Sequence, residues 1–392
     1  MAAAALLTAA LVTMSSSTPS TDSMQSKIDR IFAAVIEKDS PGAAVLVRAA
    51  GHTLFQGAYG VRELRTRAPI DAQTNFRLAS CTKQFTAMAV MLLVHDGKLR
   101  YEDRLTDVFP DFPAYGKAIT IRHLLNHTSG LPDYEDLMDR AVPDHAVTGA
   151  APAYKPSLWS DTRQIQDADV LALLKSQSAG KFLPGTSWSY SNSGYVVLGL
   201  VVAKISGKPF DEFLRERIFQ PLKMDHTVAY RKGKNDVLNR AFGHSKENNA
   251  FMQTDQSATS ATLGDGGVYS NLEDLAMWDQ ALANHTLLSA AEFEPALTPA
   301  ILMDGSVPRW LGAAGESDLQ AGKPVSYGFG WFLDPYEGHQ RMWHYGDTVG
   351  FKSVVDRFTK DRLTVIVLCN RSDLDPAALA AKVAHLYLDA SN

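Results

Sequence analysis

Phe76-Arg-Leu-Ala-Ser80-Cys-Thr-Lys83-Gln-Phe-Thr-Ala-Met-Ala-Val-Met-Leu-Leu-Val-His-Asp-Gly97 is a nearly unbroken apolar run with a single lysine set inside it. Phe85, Met88, Ala89, Leu92 and Leu93 recur at helical spacing and Gly97 is a natural stop, which predicts a buried helix over 81–96. Ser80 stands at or just before the first turn. Lys83 follows three residues on, so hydroxyl and ammonium share one face of the helix. A buried charge is costly unless it has a partner or a task. A serine hydroxyl is a weak nucleophile until a neighbouring base takes its proton, and a desolvated lysine is such a base.

The Ser-x-x-Lys spacing alone is weak, because both residues are common. A second match runs from Ser178 to Lys181. Gly180 separates that pair and the helical run Asp169–Ser176 ends just before it, so the two side chains straddle a helix end. Only the first match retains a shared face.

The rest of the composition narrows the function classes. The chain has 392 residues, 45% hydrophobic and 21% charged, which is room for one large or two medium globular domains. A net charge of −5 has no basic excess and argues against nucleic acid as a partner. Two cysteines, Cys81 and Cys369, make neither a disulfide framework nor a cysteine-rich metal site. Ala2 to Met14 is apolar, followed by Ser15-Ser16-Ser17-Thr18, and is too short to span a bilayer. It has the hydrophobic and cleavage regions of a secretory signal without the positive start. Residues 1–23 are therefore expected to be a leader, with a periplasmic or secreted location if it is a signal peptide and a cytoplasmic one otherwise.

Outward from 76–97 the chain is strand-rich at both ends and helical between. Ile28, Ile31, Phe32, Val35 and Ile36 predict an amphipathic helix over 26–38, and strands follow at 43–50 and 53–59 around Gly51-His52. Thr120 is placed to cap a helix over 121–127. Further helices are expected at 168–175, 195–205 and 210–218. A glycine-rich stretch, Gly264 to Tyr269, approaches a helix over 272–282. Strands at 341–345, 351–358 and 363–369 precede a last helix over 376–388.

Several chemistries are disfavoured. There is no Gly-x-x-x-x-Gly-Lys-Ser/Thr loop and no His-Glu-x-x-His, and Gly243 to Glu247 lacks the last glycine of a nucleophile elbow. His123 and His127 stand four apart with no carboxylate at a ligand position, which favours packing or capping over metal; no cofactor is called for. Tyr-Ser-Asn occurs twice, at Tyr190-Ser191-Asn192 and Tyr269-Ser270-Asn271. Near a lysine cation a tyrosine's pKa can fall, making it a general base, while the asparagine can bind substrate. Ser270 and Asn271 suit a helix entry before Glu273-Asp274. Tyr190 follows the loop Leu183-Pro184-Gly185 and receives the catalytic assignment. Near the end, Trp343-His344-Tyr345-Gly346-Asp347 reads as a strand whose glycine allows close approach.

Together these segments resemble the serine β-lactamase and penicillin-binding-protein superfamily, in the branch of class C β-lactamases, D-stereospecific peptidases and related esterases. The resemblance runs from about Ile28 to Leu388. It rests on Ser80 and Lys83, His123-Leu-Leu-Asn-His-Thr-Ser-Gly-Leu131, Pro184-Gly-Thr-Ser-Trp-Ser-Tyr190-Ser-Asn192-Ser-Gly-Tyr195, Ile218-Phe-Gln-Pro-Leu-Lys-Met224, Gly266-Gly-Val-Tyr-Ser270 and His344-Tyr-Gly346. It implies an α+β fold: an antiparallel sheet flanked by helices from residues 24–75 and 265–392, a mostly helical region over 76–264, and a cleft between them. It further implies acylation of Ser80 by an ester, amide or lactam carbonyl, proton transfer by Lys83 and Tyr190, and an oxyanion held by the N–H groups of Ser80 and Asp347. Asn192, His344, Gly346 and Asp347 would line the substrate site.

The family's third motif is usually Lys-Thr-Gly, and His344 stands here in place of the lysine. If His344 faces the cleft and titrates near neutrality, anionic substrates should bind better at pH 6 than at pH 8, and esters or neutral amides should be preferred. The expected partner is a small-molecule or peptide-like acyl substrate, with no membrane span. A slow-turnover penicillin sensor or DD-peptidase, and a non-catalytic binding protein, are the alternatives on the same scaffold.

Overall fold

The computed structural model describes residues 23–140, 158–311 and 322–389. In chain order the helices are α1 (Met24–Ala33), α2 (Lys83–His95), α3 (Leu105–Val108), α4 (Ile121–Leu125), α5 (Tyr134–Arg140), α6 (Asp167–Lys175), α7 (Asn192–Ser206), α8 (Phe210–Leu214), α9 (Leu272–Ala283), α10 (Ala290–Phe293) and α11 (Pro376–Leu388). The strands are β1 (Ala43–Ala49), β2 (His52–Tyr59), β3 (Phe76–Arg77), β4 (Val228–Ala229), β5 (His244–Glu247), β6 (Ala250–Gln253), β7 (Val268–Ser270), β8 (Arg341–Thr348), β9 (Phe351–Phe358) and β10 (Leu363–Cys369).

The main sheet is antiparallel and mixes the two ends of the chain in the order β2-β1-β10-β9-β8. Its central strands are apolar on both faces because both faces are covered. Val45, Val47, Val365 and Val367 pack with Ile28 and Phe32 of α1 and Leu379 and Val383 of α11. Their alternates, Ala44, Leu46, Ile366 and Leu368, join the larger core that holds α2, α7 and α9. Period-two alternation thus sends successive residues of one strand into two different cores.

Asp279 of α9 pins that helix to the sheet. Its carboxylate accepts from Arg48 Nε and Arg357 Nε at 2.9 Å each and from Thr364 Oγ1 at 2.8 Å. A buried carboxylate held by two guanidinium groups is tolerable only because its partners stay together; loss of one would strand the others.

Several element ends differ from the sequence expectation, each for a local reason. α1 stops at Ala33, short of 38, where the helical ladder gives way to a turn in which Val35 and Ile36 both donate to Phe32 O. α4 ends at Leu125 because His127 takes a left-handed φ of 63°. α7 begins three residues early because Ser191 Oγ caps it, accepting from Gly194 N at 3.1 Å. The helix over 210–218 becomes a short α-helix followed by a π-turn over Arg215–Phe219. Small sheets β3-β7-β4 and β5-β6 had no clear signal, their strands being only two to four residues long. Residues 1–22 of the leader lie outside the described residues, while Ser23 caps α1. Among the described residues no helix is long and apolar enough to cross a membrane.

Candidate active site

The turn that carries Ser80 is built by a strand that ends abruptly. β3 pairs with β7, and Leu78 N continues the ladder to Val268 O at 2.9 Å. Ala79 then takes a left-handed φ of 47°, a conformation a side chain resists, and the chain swings into a 3-10 turn over Ala79–Thr82 that runs into α2. Neighbours hold the turn. Ser353 Oγ donates to Leu78 O at 2.7 Å, Thr82 Oγ1 accepts from Val268 N at 3.1 Å, and Cys81 Sγ donates to His344 O at 3.2 Å. Ala79, Cys81 and Thr82 are buried while Ser80 is half-buried. Cys81 is therefore a packing residue; it and Cys369 are unbonded.

Lys83 opens α2 and is fully buried. Its Nζ lies 2.9 Å from Ser80 Oγ, 2.8 Å from Asn192 Oδ1 and 3.0 Å from the carbonyl oxygen of Asp265. The Asp265 carbonyl is the partner that sequence reasoning missed; the glycines around it, Gly264 and Gly266, were the only signal. Burial lowers the lysine's pKa to about 8, outweighing the charges of Asp265, Asp133 and Glu135, which act in the opposite sense. A substantial neutral fraction near that pH makes Nζ a base within reach of the serine proton.

Tyr190 arrives on the loop before α7. Lys83 Nζ sits 4.8 Å from its ring centre. The Tyr190 hydroxyl is buried near Ser80 but makes no hydrogen bond of ordinary geometry among the described residues. Burial raises its pKa well above the usual tyrosine value. The expected lowering by the lysine cation is thus corrected: desolvation dominates, the phenol keeps its proton, and the amine is the better base. Asn192 spends its side chain on Lys83 and its backbone N–H on Asp133 Oδ2 at 2.8 Å.

The third segment lies on the edge strand β8. A Cβ on Gly346 would fall 2.1 Å from Leu78 O, so glycine is what lets the Ser80 turn press against the strand. Trp343 exchanges hydrogen bonds with Phe332, donating at 2.9 Å and accepting at 2.8 Å. Backbone groups alternate sides along an antiparallel strand. The N–H of Asp347 therefore points off the same edge, next to Gly346. Its carboxylate is exposed and pairs with Lys352 at 3.3 Å. Ser80 N–H, in the first turn of its helix, has no partner inside that helix.

His344 does not behave as the sequence suggested. It is fully buried, with Nε2 3.0 Å from Tyr327 Oη and Nδ1 2.6 Å from Tyr345 O. Burial and the nearby Lys83 charge lower its pKa to about 3. It stays neutral across the physiological range, so the expected loss of an imidazolium contact between pH 6 and pH 8 is corrected. Aromatic rings surround it: Phe332 at 5.3 Å, Tyr327 at 5.8 Å and Tyr190 at 6.2 Å between centroids, with Trp188 and Trp310 beyond.

The other motifs fall away from this group. Ser178 is exposed and Lys181 pairs with Asp136 at 3.3 Å. His123 caps α4, its Nδ1 accepting from Thr120 N at 3.2 Å. Among the described residues no group of three or more His, Cys, Asp or Glu is placed to hold a metal ion. A cavity of about 590 Å³ borders Asp167, Phe210 and Arg231 rather than Ser80, so volume does not locate this chemistry.

Known proteins show the same arrangement of chain. The Beta-lactamase family model matches residues 28–389. Penicillin-binding protein 4* of Bacillus subtilis (strain 168) is 30% identical over 360 residues, spanning 88% of this chain and 72% of the relative. A D-aminopeptidase of Cereibacter sphaeroides (strain ATCC 17029 / ATH 2.4.9) is 26% identical over 88% of this chain and 60% of its own length. Among solved structures, the D-amino acid amidase of Ochrobactrum anthropi SV3 with L-phenylalanine superposes with a TM-score of 0.73 at 21% identity, covering 94% of this chain and 99% of that one.

Proposed function

The chain belongs to the Beta-lactamase family and is a serine hydrolase of that fold, and on that footing we propose that Ser80 is its acylated nucleophile, with Lys83 the base and Tyr190 a proton relay. The observation that carries this is the desolvated Lys83 amine 2.9 Å from Ser80 Oγ. In the first step Ser80 Oγ bonds to the carbonyl carbon of an ester or amide while its proton passes to Nζ. The developing oxyanion is taken by the N–H groups of Ser80 and Asp347. The bond to the leaving alcohol or amine then breaks, and the protonated Lys83–Tyr190 pair returns a proton to it. Water attacks the acyl-enzyme with the same groups as base, releasing the acid.

Asn192 serves here by fixing the lysine, and Gly346 by admitting the nucleophile's turn. His344 is fully buried and neutral, so it presents no charge to a substrate. With Lys83 committed to the reaction and His344 uncharged, esters and neutral amides remain the favoured substrates over carboxylate-bearing ones. The names of the relatives add amides and small peptides of D-amino acids to that class. The test is acylation with a fluorophosphonate or a labelled β-lactam, followed by peptide mapping, alongside turnover of p-nitrophenyl esters and D-amino-acid amides. Mass gain on the Ser80 peptide with ester or amide turnover is expected. Label on Ser178 or Ser245 would sink the assignment, and a stable adduct without turnover of any substrate would favour the penicillin sensor.

A further inference from the structure

We propose that His127 is the positioning residue of the proton relay, holding the Tyr190 phenol against Ser80 and Lys83 by clamping the residues on either side of it. This rests on the role given to Tyr190 above. The clamp has two jaws. His127 O accepts from Ser189 N at 3.0 Å, and His127 Nδ1 accepts from Ser191 N at 3.1 Å. The same strip of chain ties down the rest of the loop: Thr128 O accepts from Gly185 N at 2.8 Å and Gly130 O from Lys181 N at 2.7 Å.

The imidazole also presses on the tyrosine, with ring centres 4.4 Å apart, and meets Tyr327 at 4.6 Å, Tyr195 at 5.1 Å and Trp188 at 5.6 Å. With a left-handed backbone, φ 63°, His127 presents carbonyl and ring to the same loop, and histidine is one of the few side-chain-bearing residues that enter that region readily. An accepting Nδ1 fixes the tautomer, placing the ring proton on Nε2, which is buried with no partner among the described residues. A protonated ring could not accept from Ser191. Burial and the neighbouring Lys83 and His344 hold His127 well below the usual histidine pKa, which keeps the acceptor available. The clamp gives a task to a ring that touches four aromatic neighbours, Tyr190 among them.

The experiment compares His127→Leu with His127→Asn, alone and combined with Tyr190→Phe, on the full chain with p-nitrophenyl acetate. Asparagine offers an acceptor and tolerates the left-handed backbone; leucine does neither. A misplaced catalytic group costs on the order of 10²-fold, so His127→Leu should lower kcat by about that much with KM little changed. His127→Asn should recover most of the loss. In the Tyr190→Phe background, His127→Leu should cost nothing further. Losses that multiply instead, or failure of the asparagine to rescue a folded protein, overturn the clamp. A silent Tyr190→Phe overturns the relay on which it rests. If His127→Leu does not fold, nitrogen-15 NMR of the wild-type ring decides: an unprotonated, accepting Nδ1 supports the clamp, and a protonated Nδ1 overturns it.

Discussion

Tyr190-Ser191-Asn192 and Tyr269-Ser270-Asn271 are the same tripeptide in two settings. Both lead into a helix, α7 and α9. In the first, Ser191 is the cap, so Asn192 is free to meet Lys83. In the second, the cap moves one residue on: Asn271 Oδ1 accepts from Asp274 N at 2.9 Å and its amide donates to Asn75 Oδ1 at 3.1 Å. Tyr190 keeps a hydroxyl with no ordinary partner beside a serine and a buried amine. Tyr269 Oη accepts from Arg240 Nη2 at 2.9 Å and from Gln256 Nε2 at 3.4 Å. One phenol is left available for chemistry and the other is spent on structure. The difference lies in what the third residue has to do, not in the motif.

The comparison is broken most severely at Ser80, the proposed nucleophile beside Tyr190. Ser80→Ala should lower kcat/KM for any ester turned over by roughly 10⁶-fold, the scale on which loss of a serine nucleophile acts. Tyr190→Phe removes one hydroxyl and should lower kcat by about 10²- to 10⁴-fold, the range of a general acid–base contribution. Measured on the same neutral ester, the two should differ clearly. If Tyr190→Phe retained full activity, the first tripeptide would be as structural as the second.

A pH profile sharpens the same contrast without a variant. Lys83 has its folded-state pKa lowered to about 8, so the free amine is present above that value and is lost as pH falls. For a neutral ester, kcat/KM should rise from pH 6 and level off above about 8, with the pH 6 rate about a hundredfold below the plateau. His344, with its pKa lowered to about 3, should add no inflection near neutrality. A profile centred near 6.5 would make a histidine, not Lys83, the essential base.

Much of this was legible in the residues. The buried helix, the closeness of Ser80 to Lys83 and the placing of Tyr190 beside that lysine came from periodicity, an unmatched charge in an apolar run and the loop residues before Tyr190. The direction of the pKa shifts was not. Tyr190 was expected to lose its proton more easily and His344 to titrate near neutrality. The first weighed a neighbouring charge and the second the ordinary histidine pKa; both left out burial, which depends on rings brought together from Trp188 on one side and Tyr327 and Phe332 on the other. The same limit hid Asp265, whose hydrogen bond to Lys83 is accepted by a carbonyl, a group every residue carries. It also hid the clamp, since a left-handed backbone at His127 leaves no trace in its side chain.

The smallest effect on rate belongs to the second tripeptide. Tyr269→Phe should leave kcat/KM within about twofold, because a group outside the reacting atoms makes no acid–base contribution. Its cost should instead fall on stability. Tyr269 is almost fully buried, and the guanidinium of Arg240 lies 4.9 Å over its ring while also bonding Asp255. Removing the hydroxyl deletes the 2.9 Å bond from Arg240 in a place where water does not easily substitute; Arg240 Nε is already buried without a partner among the described residues. A hydrogen bond to a charged group is worth about 1.5–3 kcal/mol, so a loss toward the lower end is expected because Asp255 still holds the charge. The ring itself stays, which preserves its packing against Tyr230 and Phe351. Denaturant unfolding should therefore show a lower midpoint with an unchanged slope. A rate loss comparable to that of Tyr190→Phe, with stability untouched, would reverse the roles of the two tyrosines.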